Sequence, residues 1–339
     1  MTKMTLQSIG DALGVSTATV SLVLNGLAVK NGVSPVTAAK VAAYCAQKKY
    51  VINVNARRIK SKLIRNVGMV VFERFEGKPN PMADYYEAMV VGAAAMTANK
   101  NGFCVSLIVN HHANALDSIL QRFYAKEVDG FILSSFPVDP AWRESLRREK
   151  IPVVVVGGDP AQGLPTVNIN NYEMSLALTR HVIRETGRRH LGFLSGGPFS
   201  YPGNERRRGF EQALAEQGLT PVFDLNCWFM EDKAYAQVKQ LLARPTFTCD
   251  AIICADDAMA IGAMRALHEH GIAVPREIAV TGGDDIPALK YVSPEISTYA
   301  LLPEEQGSKA FLLLRKIAEG KDCQRTICLK SELKLRQSA

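Results

Sequence analysis

From Asn66 onward the chain repeats one pattern: a short run of unbroken apolar residues, a stretch with helical periodicity, then another apolar run. Val67-Gly68-Met69-Val70-Val71-Phe72 is the first run, and helical spacing follows over 85–101. Residues 103–108, 130–133 and 153–156 continue the rhythm. A second series starts at Leu191-Gly192-Phe193-Leu194-Ser195-Gly196 and adds strands at 251–254 and 278–282. A strand that is apolar on both faces must be covered on both, so this alternation predicts parallel sheets layered between helices. Two series in tandem predict two doubly wound lobes, with a ligand site at the C-terminal ends of their strands.

The first 65 residues do not share that pattern, and their charge differs as well. They hold ten lysines and arginines and one acid, Asp11, a balance of +9; the remainder carries 30 basic and 32 acidic residues. The overall +7 therefore sits on a basic head attached to a slightly acidic body, the footprint of a polyanion-binding domain. Local signals within the head predict three short helices. Thr5 reads as an N-cap ahead of Leu6, Ile9 and Leu13, which share one helical face, and Gly14 supplies a left-handed stop. Ser16 caps a second helix over 17–24, with Val20, Val23 and Leu24 facing inward, and Asn25-Gly26 ends it. Ser34-Pro35 opens a third, with Val41, Tyr44 and Cys45 on its buried face. Three helices with a tight glycine turn between the first two form a helix-turn-helix unit. Thr17, Ala18, Ser21 and Leu22 share the face of the second helix opposite Val20 and Val23.

The run Leu13-Gly14-Val15-Ser16-Thr17-Ala18-Thr19-Val20-Ser21-Leu22-Val23-Leu24-Asn25-Gly26 closely resembles the DNA-binding head of LacI/GalR-type repressors. The continuation Tyr50-Val51-Ile52-Asn53-Val54-Asn55-Ala56-Arg57-Arg58-Ile59 resembles the hinge of the same family, and the likeness runs in order through nearly the whole chain. It implies that the second helix enters the major groove with Thr17, Ala18 and Leu22 on base edges. Thr5, Ser16, Thr19, Ser21 and Asn25 complete the expected contact set of the head. Leu22 departs from the polar or basic side chain common in relatives, which points to apolar contact with thymine methyl groups. The resemblance further implies that the basic hinge folds on DNA, with Asn53, Asn55, Ala56, Arg57 and Lys60 in contact and Ile59 wedged between base steps of the minor groove. Repulsion among Arg57, Arg58, Lys60 and Lys62 opposes such a helix until phosphates neutralise it.

For the body, the resemblance implies a periplasmic-binding-protein-like pair of lobes joined by three crossings, near Thr166, Leu289 and Arg325. The expected division is a head over 1–52, a hinge over 53–65 and an effector-binding body over 66–339. Its first lobe would span about 66–165 and 290–325, its second about 166–289 and 326–339. Polar residues at strand ends mark the site: Ala255-Asp256-Asp257 and Gly282-Gly283-Asp284-Asp285 each follow an apolar strand, and Arg206 opens a helix after Gly196-Gly197-Pro198. The resemblance maps an effector-clasping arginine to Arg206, an effector-binding aspartate to Asp284, a usual asparagine to Asp256 and a stacking aromatic to Phe229. Tyr85 and Tyr86 fall where the family has an aromatic pair, Asn170 where an aspartate is common, and Phe136 joins the same set. An Arg/Asp clamp with an aromatic platform suits a sugar, whose hydroxyls take bidentate bonds while its C–H faces stack.

Two rival classes are weaker. No Gly-x-Ser-x-Gly elbow surrounds Ser195, no glycine-rich phosphate loop follows the first strand, and no His/Glu metal motif is present, which argues against an enzyme. A solute-binding transport protein would share the body, but the basic head and an N-terminus without signal-peptide character argue against it. The seven cysteines include no Cys-x-x-Cys pair and read as free thiols of a reducing compartment. The expectation is a cytoplasmic homodimer that reads a pseudo-palindromic operator and binds a small carbohydrate effector, with no cofactor, metal or membrane partner.

Overall fold

The computed structural model describes residues 4–50, 63–72, 80–110, 115–134 and 139–339. It divides into two compact units, 1–63 and 64–339. The expected hinge contacts Asn53, Asn55, Ala56, Arg57, Ile59 and Lys60, together with Phe136, lie outside the described residues.

The small unit contains α1 (Leu6–Leu13), α2 (Thr17–Leu24) and α3 (Pro35–Gln47). Thr5 and Ser8 bond reciprocally across the start of α1, Ser16 accepts from the Thr19 amide at 3.1 Å, and Ser34 does the same for Thr37. Gly14 ends α1 at φ 66°, where a side chain on the backbone would be strained. Ile9, Val20, Val41 and Cys45 form the buried core, and Val23, Leu24 and Tyr44 pack around it. Between α2 and α3 the loop forms a single 3-10 turn, Val29–Asn31.

The large unit holds two parallel sheets. The first is ordered β11-β5-β4-β3-β1-β2, from β1 (Asn66–Phe72), β2 (Cys104–Asn110), β3 (Phe131–Ser134), β4 (Val153–Val156), β5 (Thr166–Ile169) and β11 (Thr326–Leu329). The second is ordered β7-β6-β8-β9, from β6 (Leu191–Ser195), β7 (Phe223–Asn226), β8 (Ala251–Cys254) and β9 (Ala279–Thr281). Every residue of β1, β3, β4, β6, β8 and β9 is buried, as strands covered on both faces must be. The covering helices of the first lobe are α4 (Tyr85–Lys100), α5 (Ala115–Tyr124), α6 (Pro140–Arg148) and α11 (Pro303–Ala318). Those of the second are α7 (Asn171–Thr186), α8 (Tyr201–Ala215), α9 (Glu231–Leu242) and α10 (Asp257–Glu269). No helix among the described residues is long and apolar enough to cross a membrane.

All three crossings fall later in the chain than Thr166, Leu289 and Arg325. Thr166 begins β5, which pairs with both β4 and β11 inside the first sheet, so the chain leaves that lobe only after Ile169. Leu289 is packed in the core of the second lobe with Val292 and Ile296 against it, and the return runs through β10 (Thr298–Tyr299). The last crossing follows Leu329, where β12 (Leu333–Lys334) pairs antiparallel with β10. The reason is local. Thr166-Val167-Asn168-Ile169 lacks a continuous apolar run, yet Asn168 anchors it by donating to the Gly158 carbonyl at 2.8 Å.

Candidate functional site

The C-terminal ends of both sheets border one cleft of about 770 Å³ within the large unit. In the second lobe β6 runs into Gly196, β8 into Asp256 and β9 into Asp284; in the first, β1 ends at Phe72 and β3 at Ser134. Parallel strands aim their C-terminal ends the same way, which gathers residues distant in sequence at one mouth.

Arg206 is the centre of the second-lobe wall. It lies in α8, a helix opened by Ser200, whose hydroxyl accepts from the Gly203 amide at 3.1 Å. Only 5% exposed, it donates from Nε to Asn171 Oδ1 at 2.9 Å and from Nη1 to the Ala255 carbonyl. Nη1 also stands 3.5 Å from Asp284 Oδ1, an oxygen with no hydrogen bond among the described residues, and the guanidinium lies over the Tyr299 ring at 5.7 Å. Asp256 caps α10 by accepting from the Met259 amide at 2.8 Å. Burial pushes its carboxyl up to about 7, although the Met259 hydrogen bond and Arg206 oppose the shift. Burial likewise holds Asp284 well above the ordinary carboxylate range, against the pull of Arg206. One cation therefore faces two carboxyls that resist ionising together.

Asp257, the next residue, has a different task. It is fully buried and accepts from Thr298 Oγ1 at 2.6 Å and from the Ile286 amide at 2.9 Å, fastening the second crossing to α10. The cap is Asp256, one residue earlier. Burial pushes Asp257 up to about 6. Asp285 pairs with Arg336 and stays outside the cleft wall.

The aromatic floor depends on two adjacent left-handed residues, Trp228 and Phe229, at φ 56° and 55°. Strain of this kind is concentrated where a chain must present particular side chains. Space for both rings comes from the paired glycines after β6. A Cβ on Gly196 would sit 1.9 Å from the Phe229 ring, and one on Gly197 2.8 Å from Trp228. Phe199 stacks on Trp228 with centroids 6.4 Å apart, and Phe72 and Trp142 face the cleft from the first lobe, also 6.4 Å apart.

Of the expected residues, Tyr86, Arg206, Phe229, Asp256 and Asp284 meet in this cleft. Tyr86 donates to Gln306 Oε1 at 3.0 Å, and Gln306 in turn donates to the Leu301 carbonyl at 2.6 Å. Tyr85 is 39% exposed and does not line the cleft. Asn170 does not line it either: its Oδ1 accepts from the Ser331 amide at 3.1 Å, which ties the first crossing to the third. The asparagine that reaches Arg206 is its neighbour Asn171, buried at the start of α7. Asn171, Trp142, Trp228 and Gln306 were not among the sequence candidates. For the tryptophans a signal existed, since the chain has only two and both border the cleft.

In the small unit, Ala18 is exposed and Thr17 and Leu22 are half-buried on α2. Ser16 and Thr19 share a hydroxyl hydrogen bond of 2.9 Å, and Asn25 donates to the Ser21 carbonyl at 2.7 Å and to its hydroxyl at 3.3 Å. Thr5, Ser16, Thr19, Ser21 and Asn25 each also take part in a hydrogen bond within the unit.

A helix-turn-helix unit joined to a two-lobed body with a polar, aromatic-walled cleft defines a ligand-responsive DNA-binding protein. A family model described as a periplasmic binding protein-like domain matches residues 180–339. The ribose operon repressor of Haemophilus influenzae is 27% identical over 345 residues, covering 98% of each chain. The structure of the transcriptional regulator CelR in complex with cellobiose aligns over 99% of this chain and 100% of that one, at 26% identity and a TM-score of 0.72. The lac repressor dimer bound to operator and the anti-inducer ONPF shares the fold at a TM-score of 0.87 and 22% identity, with 99% and 98% coverage. Over nearly its whole length the chain is similar to transcriptional repressors and regulators of this kind.

Proposed function

We propose that the protein is a cytoplasmic repressor that dimerises on a pseudo-palindromic operator and alters its grip on DNA when a carbohydrate occupies the cleft. The observation that carries the reading is the buried Arg206, 3.5 Å from Asp284, beside Asp256 and flanked by Phe229 and Trp228. A guanidinium and two carboxyls offer donors and acceptors in fixed directions to vicinal hydroxyls, while ring faces cover the C–H surfaces of a sugar. The CelR–cellobiose complex, alike over the whole chain, supports a saccharide class. Asp256 stands where the family resemblance implies an asparagine, so it tunes which hydroxyl or amine is accepted.

On the DNA side, Thr17, Ala18 and Leu22 meet base edges, and Asn53, Asn55, Ala56, Arg57 and Lys60 meet the backbone or the minor groove around an Ile59 wedge. The effector shifts operator affinity by its differential affinity for two lobe arrangements, typically ~1–3 kcal/mol. The test exploits the two tryptophans at the cleft: sugars are screened by intrinsic fluorescence, and operator binding is then titrated against each hit. A sugar that quenches fluorescence and changes operator affinity is the expected result. Fluorescence and operator binding insensitive to every mono- and disaccharide would overturn the carbohydrate reading.

A further inference from the structure

Arg143 stands in α6, next to Trp142, on the first-lobe wall of the cleft. It is half-buried; its Nε is shielded from solvent and has no hydrogen-bond partner among the described residues. The first turn of a helix carries the positive end of its dipole, so a cation there is destabilising unless an anion lies close by. Four of the described acids that line the cleft have tasks of their own. Asp139 caps α6 through the Ala141 amide at 2.7 Å, Asp84 caps α4 through the Glu87 amide at 3.0 Å, Asp256 caps α10, and Asp284 faces Arg206. On the same helix Arg147 and Arg148 are exposed, where hydration costs them nothing. Arg143 thus presents a half-buried guanidinium to the same cavity that Arg206 lines.

We infer that Arg143 reads an anionic group on the effector, a phosphate or a carboxylate, so that the cleft selects an acidic carbohydrate over its neutral parent. This rests on the carbohydrate reading of the cleft. The second lobe, through Arg206 and Asp284, takes the hydroxylated ring; the first lobe, through Arg143, takes the charge. A guanidinium matches two oxygens of an oxyanion with parallel N–H bonds, and the α6 dipole adds to the attraction. The anion then bridges the lobes, which couples its recognition to their relative arrangement.

The experiment measures tryptophan fluorescence and thermal shift of the full-length chain with matched ligands: glucose, glucose 6-phosphate and glucuronate, and galactose, galactose 6-phosphate and galacturonate. Inorganic phosphate and acetate serve as the bare anions. Wild type, Arg143→Gln, Arg143→Lys and Arg147→Gln are compared. In wild type an acidic member should bind at least tenfold more tightly than its neutral parent, and the phosphate and uronate arms identify which oxyanion is read. Arg143→Gln should abolish that preference, Arg143→Lys should restore part of it, and Arg147→Gln should leave it intact. Equal affinity for neutral and acidic members, or a preference that survives Arg143→Gln, would overturn the inference while leaving the carbohydrate reading standing. If no sugar binds but inorganic phosphate stabilises wild type and not Arg143→Gln, the carbohydrate reading falls and the anion site stands. No response to any sugar or bare anion overturns both.

Discussion

Asp256 combines two duties that its neighbourhood makes distinguishable. Its carboxyl caps α10, and its burial raises its titration to about 7 from an ordinary 3.8. A carboxyl raised in the folded state holds its proton where the unfolded chain has lost it, so its contribution to stability falls as pH rises from near 3.8 and levels off above about 7. Asp257, raised to about 6, works in the same direction. Asparagine caps a helix as well as aspartate but does not titrate. Asp256→Asn should therefore flatten the decline in melting temperature between pH 4 and 7 and equal or exceed wild type at pH 8; an unchanged pH profile would exclude the raised carboxyl. The same substitution should alter ligand preference more than DNA affinity. Arg206→Ala and Asp284→Ala belong to the same scale. Both should abolish the effector response in an operator-binding titration and leave operator affinity near wild type, and a retained response in both would mean that the ligand sits elsewhere.

At the scale of elements, close helix packing holds Arg206 in place. Gly209 on α8 lies against α7 so tightly that a Cβ would meet the Tyr172 carbonyl at 2.4 Å. Ser175 on α7 donates to the Arg206 carbonyl at 2.6 Å across the same contact. Gly209→Ala must push the pair apart, at a cost of ~1–3 kcal/mol. It should lower the midpoint of denaturant unfolding and weaken effector binding together, since the displaced helix carries Arg206; full stability in this variant would contradict the packing. The hinge provides the second prediction at this scale. Ile59→Gly should reduce binding to a specific operator far more than to random DNA, because wedge and phosphate contacts are separate contributions. Arg57→Ala should weaken both and reduce the salt dependence of binding. Gel-shift titrations on both DNAs at two salt concentrations distinguish these outcomes.

For the whole molecule, assembly follows from the size of the head. A core of Ile9, Val20, Val41 and Cys45 supports one short candidate reading helix, too little interface for a typical specific affinity, so the proposed operator binding calls for two heads on two half-sites. Light scattering should give a dimer at low micromolar concentration, and a monomer that still binds operator tightly would contradict this. Asp257 holds Thr298 on the second crossing, and Asn170 holds Ser331 between the first and third. Ser331 also donates to the Ala300 carbonyl, so all three crossings are joined by hydrogen bonds.

Much of this was legible from the residues in order. Caps, a glycine stop and a basic balance marked the head, because each acts within a few residues of chain. Unbroken apolar runs marked β1, β4, β6 and β8, because a strand buried on both faces leaves no other composition open to it. Arg206, Asp256 and Asp284 were recognisable because they follow glycine-rich or apolar strand ends where a doubly wound sheet opens. Tertiary structure alone decided the remainder. Thr166-Val167-Asn168-Ile169 belongs to the first sheet because β4 and β11 pair with it, not because of its own pattern. Asn171 rather than Asn170 meets Arg206, since which of two adjacent side chains faces inward depends on how α7 docks on α8. Trp142, Trp228 and Arg143 reach the cleft through folding of segments far apart in the chain, and no local rule encodes a distance between segments that only packing brings together.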